Sequence, residues 1–109
     1  MKLTDLKPQF LKILDKNRAQ HVDNIKDADG MRFLCPKCFA ENGGPKGTHS
    51  ITCWQLHVKP EEAHEGPGRW NFAGTGYDDI TFVNGSSSIA INGGCFAHFF
   101  IEQGNVRNA

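Results

Sequence analysis

The chain has 109 residues, a length that fits one domain, with 39% apolar residues and 12 glycines. A chain of this size buries roughly two thirds of its unfolded surface, so its stability is thin and an added staple is useful. Twelve basic residues balance twelve acidic ones, which argues against a dedicated nucleic-acid binder with its basic stripe.

The start, MKLTDLKPQF, lacks the apolar core of a signal peptide, and no run approaches the roughly 20 apolar residues of a membrane span. The expectation is a soluble protein of the cytoplasm. In that setting paired cysteines more often signal metal or redox chemistry than structural disulfides. The Asn84-Gly85-Ser86 sequon then has no role.

Taken in chain order, LKPQFLKILDKNRAQ reads as a helix. Leu6, Phe10, Ile13 and Leu14 share a face at helical spacing, and Pro8 suits a first turn. HVDNIKDADG follows as a polar connector. Its DADG fails as a calcium loop, because the first and twelfth positions fall on Ile25 and Pro36; a turn closing at Gly30 fits better. From Met31 the pattern is short strands: MRFL, ITCWQLHV, RWNFA, DITFV, SIAIN, and AHFFIEQGNV with a turn at Gly104. Glycine- and proline-rich stretches punctuate them. The expectation is a single domain over 1–109 of the α+β class, mainly β. An N-terminal helix in 1–20 packs on a β-rich body, 31–109, built as a small antiparallel sheet or partial barrel.

The chemistry concentrates in the cysteines. FLCPKCF carries Cys35 and Cys38, and GGCFAHFF carries Cys95 and His98. A redox C-x-x-C opens a helix, whose N-terminus lowers the thiol pKa. FAENGGPKGT after Cys38 does not read as a helix, so metal is the preferred reading. Zinc takes four Cys or His ligands in a tetrahedron, and two-residue spacing aims both members of each pair at one ion. Gly93 and Gly94 mark the second turn. Cys35, Cys38, Cys95 and His98, two knuckles flanking an insert of 56 residues, form a zinc-ribbon-like set. A local rival is Cys35, Cys38, His49 and Cys53. Its weakness is Cys53, a strand cysteine that reads as core. His49 is the alternative ligand, His57 reads as a surface residue, and His21 and His64 receive no role. Iron remains open beside zinc, since thiolate sites take both.

Several stretches together, MKLTDLKPQF, FLCPKC, a Trp strand, DDITF…SI and GGCFAHFFIEQGNV, resemble a family of small proteins of unknown function encoded by tailed phages and prophages. Those proteins open with Met-Lys-Leu-x-Asp-Leu, carry a CPxC-type cluster, and close on G-G-C-x-x-H-x-F-x-x-x-G. FVNGSSSI departs from the pattern by lacking a proline before Ser-Ile. The resemblance implies that Cys35, Cys38, Cys95 and His98 belong to the shared pattern and that the protein acts in the host cytoplasm.

Catalytic motifs fail on spacing. The deaminase order H-x-E then P-C-x-x-C is reversed, and His64-Glu65 has no intervening residue. H-E-x-x-H is absent, and Lys46 precedes rather than follows the glycine of a phosphate loop. Asp78 and Asp79 sit beside a glycine-rich turn and read as turn residues. Four filled positions leave no place for a catalytic water. The leading expectation is therefore a non-enzymatic protein-binding module with one structural zinc; Phe39, Trp70, Tyr77 and Phe100 are candidates for its contact surface, though each reads as core before interface. A nucleic-acid-binding ribbon would need Lys37, Lys46, Lys59 and Arg69 on one face. A small metallo-hydrolase would need a ligand to drop out, leaving water beside His49 or Asp79.

Overall fold

The computed structural model describes residues 1–16, 18–63, 66–86, 88–92 and 94–109. His64, Glu65 and Gly93, which figure in the reading above, lie outside the described residues.

The N-terminal segment is not the expected helix. A single 3-10 turn, Leu3–Leu6, ends at Lys7, whose backbone enters the left-handed region at φ 51°. Pro8 follows, and a residue before proline is disfavoured in the α region. The chain then runs as β1 (Gln9–Asp15) and returns as β2 (Arg18–Val22). Side-chain parity explains the outcome. Phe10 and Leu11 are both buried but in different apolar clusters, one on each face of the sheet. A helix would have joined Phe10, Ile13 and Leu14 and left Leu11 aside. Leu14 instead is 48% exposed. Pairing with β3 (Gly30–Leu34) overrides the helical spacing.

The remaining elements are a helix α1 (Pro36–Asn42) and strands β4 (Ser50–Gln55), β5 (Arg69–Ala73), β6 (Thr81–Val83), β7 (Ile89–Ala90), β8 (His98–Glu102) and β9 (Asn105–Asn108). Six strands form one sheet in the order β2-β1-β3-β4-β5-β6, and three form a second in the order β7-β8-β9. The antiparallel expectation fails at one joint: β5 runs parallel to β4, paired only through Trp54 with Arg69 and Gln55 with Trp70. The crossover between them uses residues 56–68, which lets the chain re-enter in the same direction. Neither sheet closes on itself among the described residues, so there is no barrel. The architecture is two sheets with one short α-helix among the described residues, and the former "helix" segment is an integral part of the larger sheet.

The main core lies between the sheets. Leu3, Leu6, Phe10, Met31, Phe33, Ile51, Trp70, Ile80, Ile89, Phe99 and Ile101 are all buried there. Phe33 and Phe99 meet edge to face at 6.0 Å between ring centres, joining the larger sheet to the smaller. On the outer face of the larger sheet Leu11, Trp54, Val58 and Ala63 form a second, smaller cluster. Gly30 lies under Trp54: a Cβ there would sit 2.3 Å from the indole, so only glycine lets the ring lie flat on β3. The C-terminal hairpin matches its expected form. Gln103 and Gly104 take φ 47° and 73° at its two-residue turn, as a primed turn between twisted strands requires.

Candidate metal centre

Helix α1 is where the sequence reading of C-P-x-C needs correction. Cys35 caps a seven-residue helix with Pro36 in its first turn and Gly43 as left-handed cap. Proline at the start and glycine just past the end are the usual helix punctuation; the glycine run beginning at Gly43 hid the helix. The pair Cys35/Cys38 thus sits on a strand-to-helix turn, not on a ribbon knuckle.

Three separate segments converge beside it. Cys35, Cys38, His49 and Cys95 each offer one donor atom, and these atoms all lie within 4.8 Å of one another. Local structure explains each placement. Cys35 ends β3 and His49 precedes β4, and the β3–β4 register carries past Leu34↔Ser50 to bring them opposite, with the Cys35 N–H donating to the His49 carbonyl at 2.9 Å. Directly opposite residues of antiparallel strands share a face. Cys38 stands one helical turn on from Cys35. Cys95 arrives from the turn between β7 and β8, where Phe96 takes a left-handed conformation at φ 53°. Lys37 Nζ donates to the Cys95 carbonyl, tying this turn to α1.

The donor types, and two of the spacings between them, match a zinc site. Sulfur at about 2.3 Å and nitrogen at about 2.0 Å from a tetrahedral ion put sulfurs about 3.8 Å apart and sulfur and nitrogen about 3.5 Å apart. Cys35 Sγ lies 3.6 Å from Cys95 Sγ, and Cys95 Sγ lies 3.4 Å from His49 Nε2. No two of these cysteines are joined; all four cysteines of the chain are free thiols.

Electrostatics point the same way. Burial is the largest influence on Cys38, and with the sulfurs of Cys95 and Cys35 beside it pushes that thiol up to about 12. Burial also raises Cys35, against a hydrogen bond from the Cys38 backbone. Burial would raise Cys95 as well, but hydrogen bonds from His49, from the Ala97 backbone and from the other two cysteines outweigh it and bring it down to about 7. Three thiols so close cannot all ionise unaided, because each negative sulfur disfavours the next. A divalent cation reverses that preference by pairing with every thiolate. Cys35 is buried, Cys38 and Cys95 are half-buried, and His49 is exposed, so the cluster lies at the surface.

The other sequence-level candidates are placed elsewhere. His98 stands three residues beyond Cys95, at the start of β8, where it pairs with Ala90 and its Nε2 meets Ser88 Oγ. The turn at Cys95 faces α1, while the strand at His98 faces β7, so the second two-residue pair does not converge. Cys53, on β4, is fully buried in the main core, and burial raises its thiol. His57 pairs with Asp29 at 2.7 Å and His21 with Asp23 at 3.5 Å. Asp79 accepts hydrogen bonds from the Thr75 N–H, the Thr75 hydroxyl and the Gly76 N–H. Those bonds, the Thr75 N–H first, lower its pKa and make it the organiser of a turn. The Arg69 guanidinium donates to the Val58, Ala63 and Gly68 carbonyls, which holds it against the crossover loop rather than on a basic face.

Of the aromatic residues, Trp70 is core and Tyr77 stacks on Phe10 at 4.3 Å, its hydroxyl accepting the Phe10 N–H. Phe39 packs partly buried against the main core, and Phe100 lies under Arg107. Phe96, which the sequence reading left aside, is 68% exposed beside the cluster. Its position one residue after a turn cysteine was the available clue.

No helix among the described residues is long and apolar enough to cross a membrane. Comparison of the chain with family models, with curated proteins and with solved structures gave no match in any of the three.

Proposed function

We propose that this chain is a small non-enzymatic protein-binding module folded around one structural zinc ion held by Cys35, Cys38, His49 and Cys95. The observation that carries the reading is the convergence of four zinc-type donors from three separate segments, the last of them 46 residues beyond His49. Such a set fills the tetrahedron with protein, leaving no position for a reactive water, and this is the pattern of structural rather than catalytic zinc. The ion would supply cross-linking: it ties the β3–α1 turn, the start of β4 and the β7–β8 turn to one point. The neutral overall charge supports a protein partner over a nucleic acid. Phe96, apolar and exposed on the metal-bound turn, is the natural contact residue. The resemblance to phage- and prophage-encoded proteins supports an accessory role in the host cytoplasm.

The test is native mass spectrometry with elemental analysis on protein purified without added metal, repeated for Cys95→Ser and His49→Ala. One zinc per chain, lost in both variants, is the expected result. Iron in its place would change the ion and keep the site. A metal-free wild-type protein, or a metal retained by Cys95→Ser, would overturn the site.

A further inference from the structure

We propose that the groove between β4 and β7 takes one extended segment of a partner protein as an inserted strand, hydrogen-bonded to both rims. The inference deepens the protein-binding reading and names how the module would grip.

The first rim follows from ladder parity. In an antiparallel pair, alternate residues turn their N–H and C=O toward the partner strand and the others turn them away. The Gln55 N–H donates to the Asp29 carbonyl, and the Cys35 N–H to the His49 carbonyl. The odd-numbered residues of β4 therefore face β3, and Ser50, Thr52 and Trp54 face the other side. There β5 covers only Trp54 and Gln55. Among the described residues, the Ser50 N–H and C=O and the Thr52 N–H have no hydrogen-bond partner; the Thr52 carbonyl abuts Gly66, where a Cβ would lie 2.8 Å from it.

The second rim repeats the pattern. The Ile91 N–H donates to the Ala97 carbonyl, so Ala90 turns its N–H and C=O away from β8, and β7 is the last strand of its sheet. Ala90, Ile91 and Asn92 line the same groove of about 490 Å³ as Ser50 and Thr52, with Gly66 and Pro67 also lining it.

The chemistry of both rims selects the occupant. Donors and acceptors at strand spacing on two sides are matched by a polypeptide backbone, which alternates its own groups left and right. Three residues on each rim give roughly 10 Å of strand. Open edges are ordinarily guarded by charge, proline or a bulge, whereas Ser50, Thr52, Ala90 and Asn92 are all uncharged. Apolar Ile51 and Ile91 at the same groove favour a small apolar residue at the inward position of the guest. His49 immediately precedes the first rim and Cys95 closely follows the second, and both belong to the metal cluster. The ion would fix the distance between the rims.

The test is selection of a displayed random heptapeptide library on the full chain as purified, with counter-selection on Thr52→Pro. Proline at an outward-facing edge position removes only an unused N–H. Ala90→Pro makes the same change on the other sheet and serves if Thr52→Pro fails to fold. Enriched peptides are expected to slow hydrogen exchange at the Ser50, Thr52 and Ala90 amides by roughly tenfold or more and to bind each proline variant roughly tenfold more weakly. Failure of any peptide to enrich over the proline variant would overturn the groove. Peptides that bind the variants equally and protect other amides would overturn it too, while leaving the protein-binding reading in place. The same amides protected at high protein concentration without peptide, with dimers in sedimentation, would assign the groove to a second copy and overturn the partner strand. Protection that survives in metal-free protein would keep the groove and count against the zinc reading instead.

Discussion

The two faces of the central strands β3 and β4 are held by different physics. On the outer face, Leu11, Trp54, Val58 and Ala63 make a small apolar cluster under the crossover loop. At the other place, where β3 ends and β4 begins, three thiols and an imidazole meet at the surface with no apolar cover over His49. The outer cluster is complete as it stands, apart from a Trp54 Nε1–H that is buried without a partner among the described residues. The cysteine corner is not: its sulfurs repel one another's ionised forms until a cation joins them. A short chain with many glycines can close an apolar cluster from nearby residues, but it fixes a surface corner only with a cross-link.

Removal of a candidate ligand should do the most damage. Cys35→Ser should cost a share of the apparent binding energy of the ion, which for a structural zinc is on the order of 10 kcal/mol in full. The variant should lose metal and unfold at markedly lower urea than the metal-loaded protein, as read by elemental analysis and circular dichroism. Trp54→Ala should cost less, about 3–5 kcal/mol, as a cavity opens under the loop. Metal content should stay unchanged wherever the variant remains folded. Trp54→Phe sharpens the point. It keeps most of the packing and deletes an unpaired donor, so its cost in urea unfolding should fall below about 1.5 kcal/mol. A variant at Trp54 that released metal would show that the two regions are one cooperative unit at the level of the site.

The two histidines divide the corner more finely. Loss of a residue that merely orients a ligand typically weakens metal binding by 10–100-fold, so His49→Ala should weaken it by roughly 100-fold or more in a chelator competition. His98→Ala breaks only a contact with Ser88 at the surface and should stay within about 1 kcal/mol of wild type in stability, with metal affinity unchanged. The reverse ranking would restore the C-x-x-H pair.

Much of this was legible in the sequence, and the misses share a cause. The hairpin of β8 and β9 could be read from alternation and from Gly104, because its register depends on a local turn. The three clustered cysteines could be read from two-residue spacing and from the expectation that Cys53 is core. The nearness of His49, rather than His98, to the three thiols could not, since it depends on which residue next to β4 lies opposite Cys35. That register is a property of the sheet, not of either segment. The N-terminal segment failed for the same reason. Leu6, Phe10, Ile13 and Leu14 satisfy a helical period, and only β3, which gives both Phe10 and Leu11 a buried face, decides for a strand. Helix α1 was missed differently. Its start and stop residues are both present, but seven residues between them fall below the length at which periodicity speaks.

The two regions also separate by pH. Without an ion, burial and the neighbouring sulfurs push the Cys38 thiol up from its ordinary value of 9.0 to about 12, and burial raises Cys35 and Cys53 as well. A raised pKa means the folded chain holds these protons more tightly than the unfolded chain. The stabilisation is complete below about pH 9 and declines as pH rises toward the folded values, because the unfolded thiols ionise first. Metal-free protein should therefore lose stability steadily as pH rises above about 9. With an ion bound, Cys35 and Cys38 have already given up their protons, and only buried Cys53 still resists ionisation. The metal-loaded protein should show a shallower alkaline decline, with metal affinity itself rising from acid to neutral pH as protons leave the cluster. Urea midpoints measured for both forms between about pH 8 and pH 11 compare the slopes directly. Equal slopes would mean that the corner's thiols are not the ones an ion displaces.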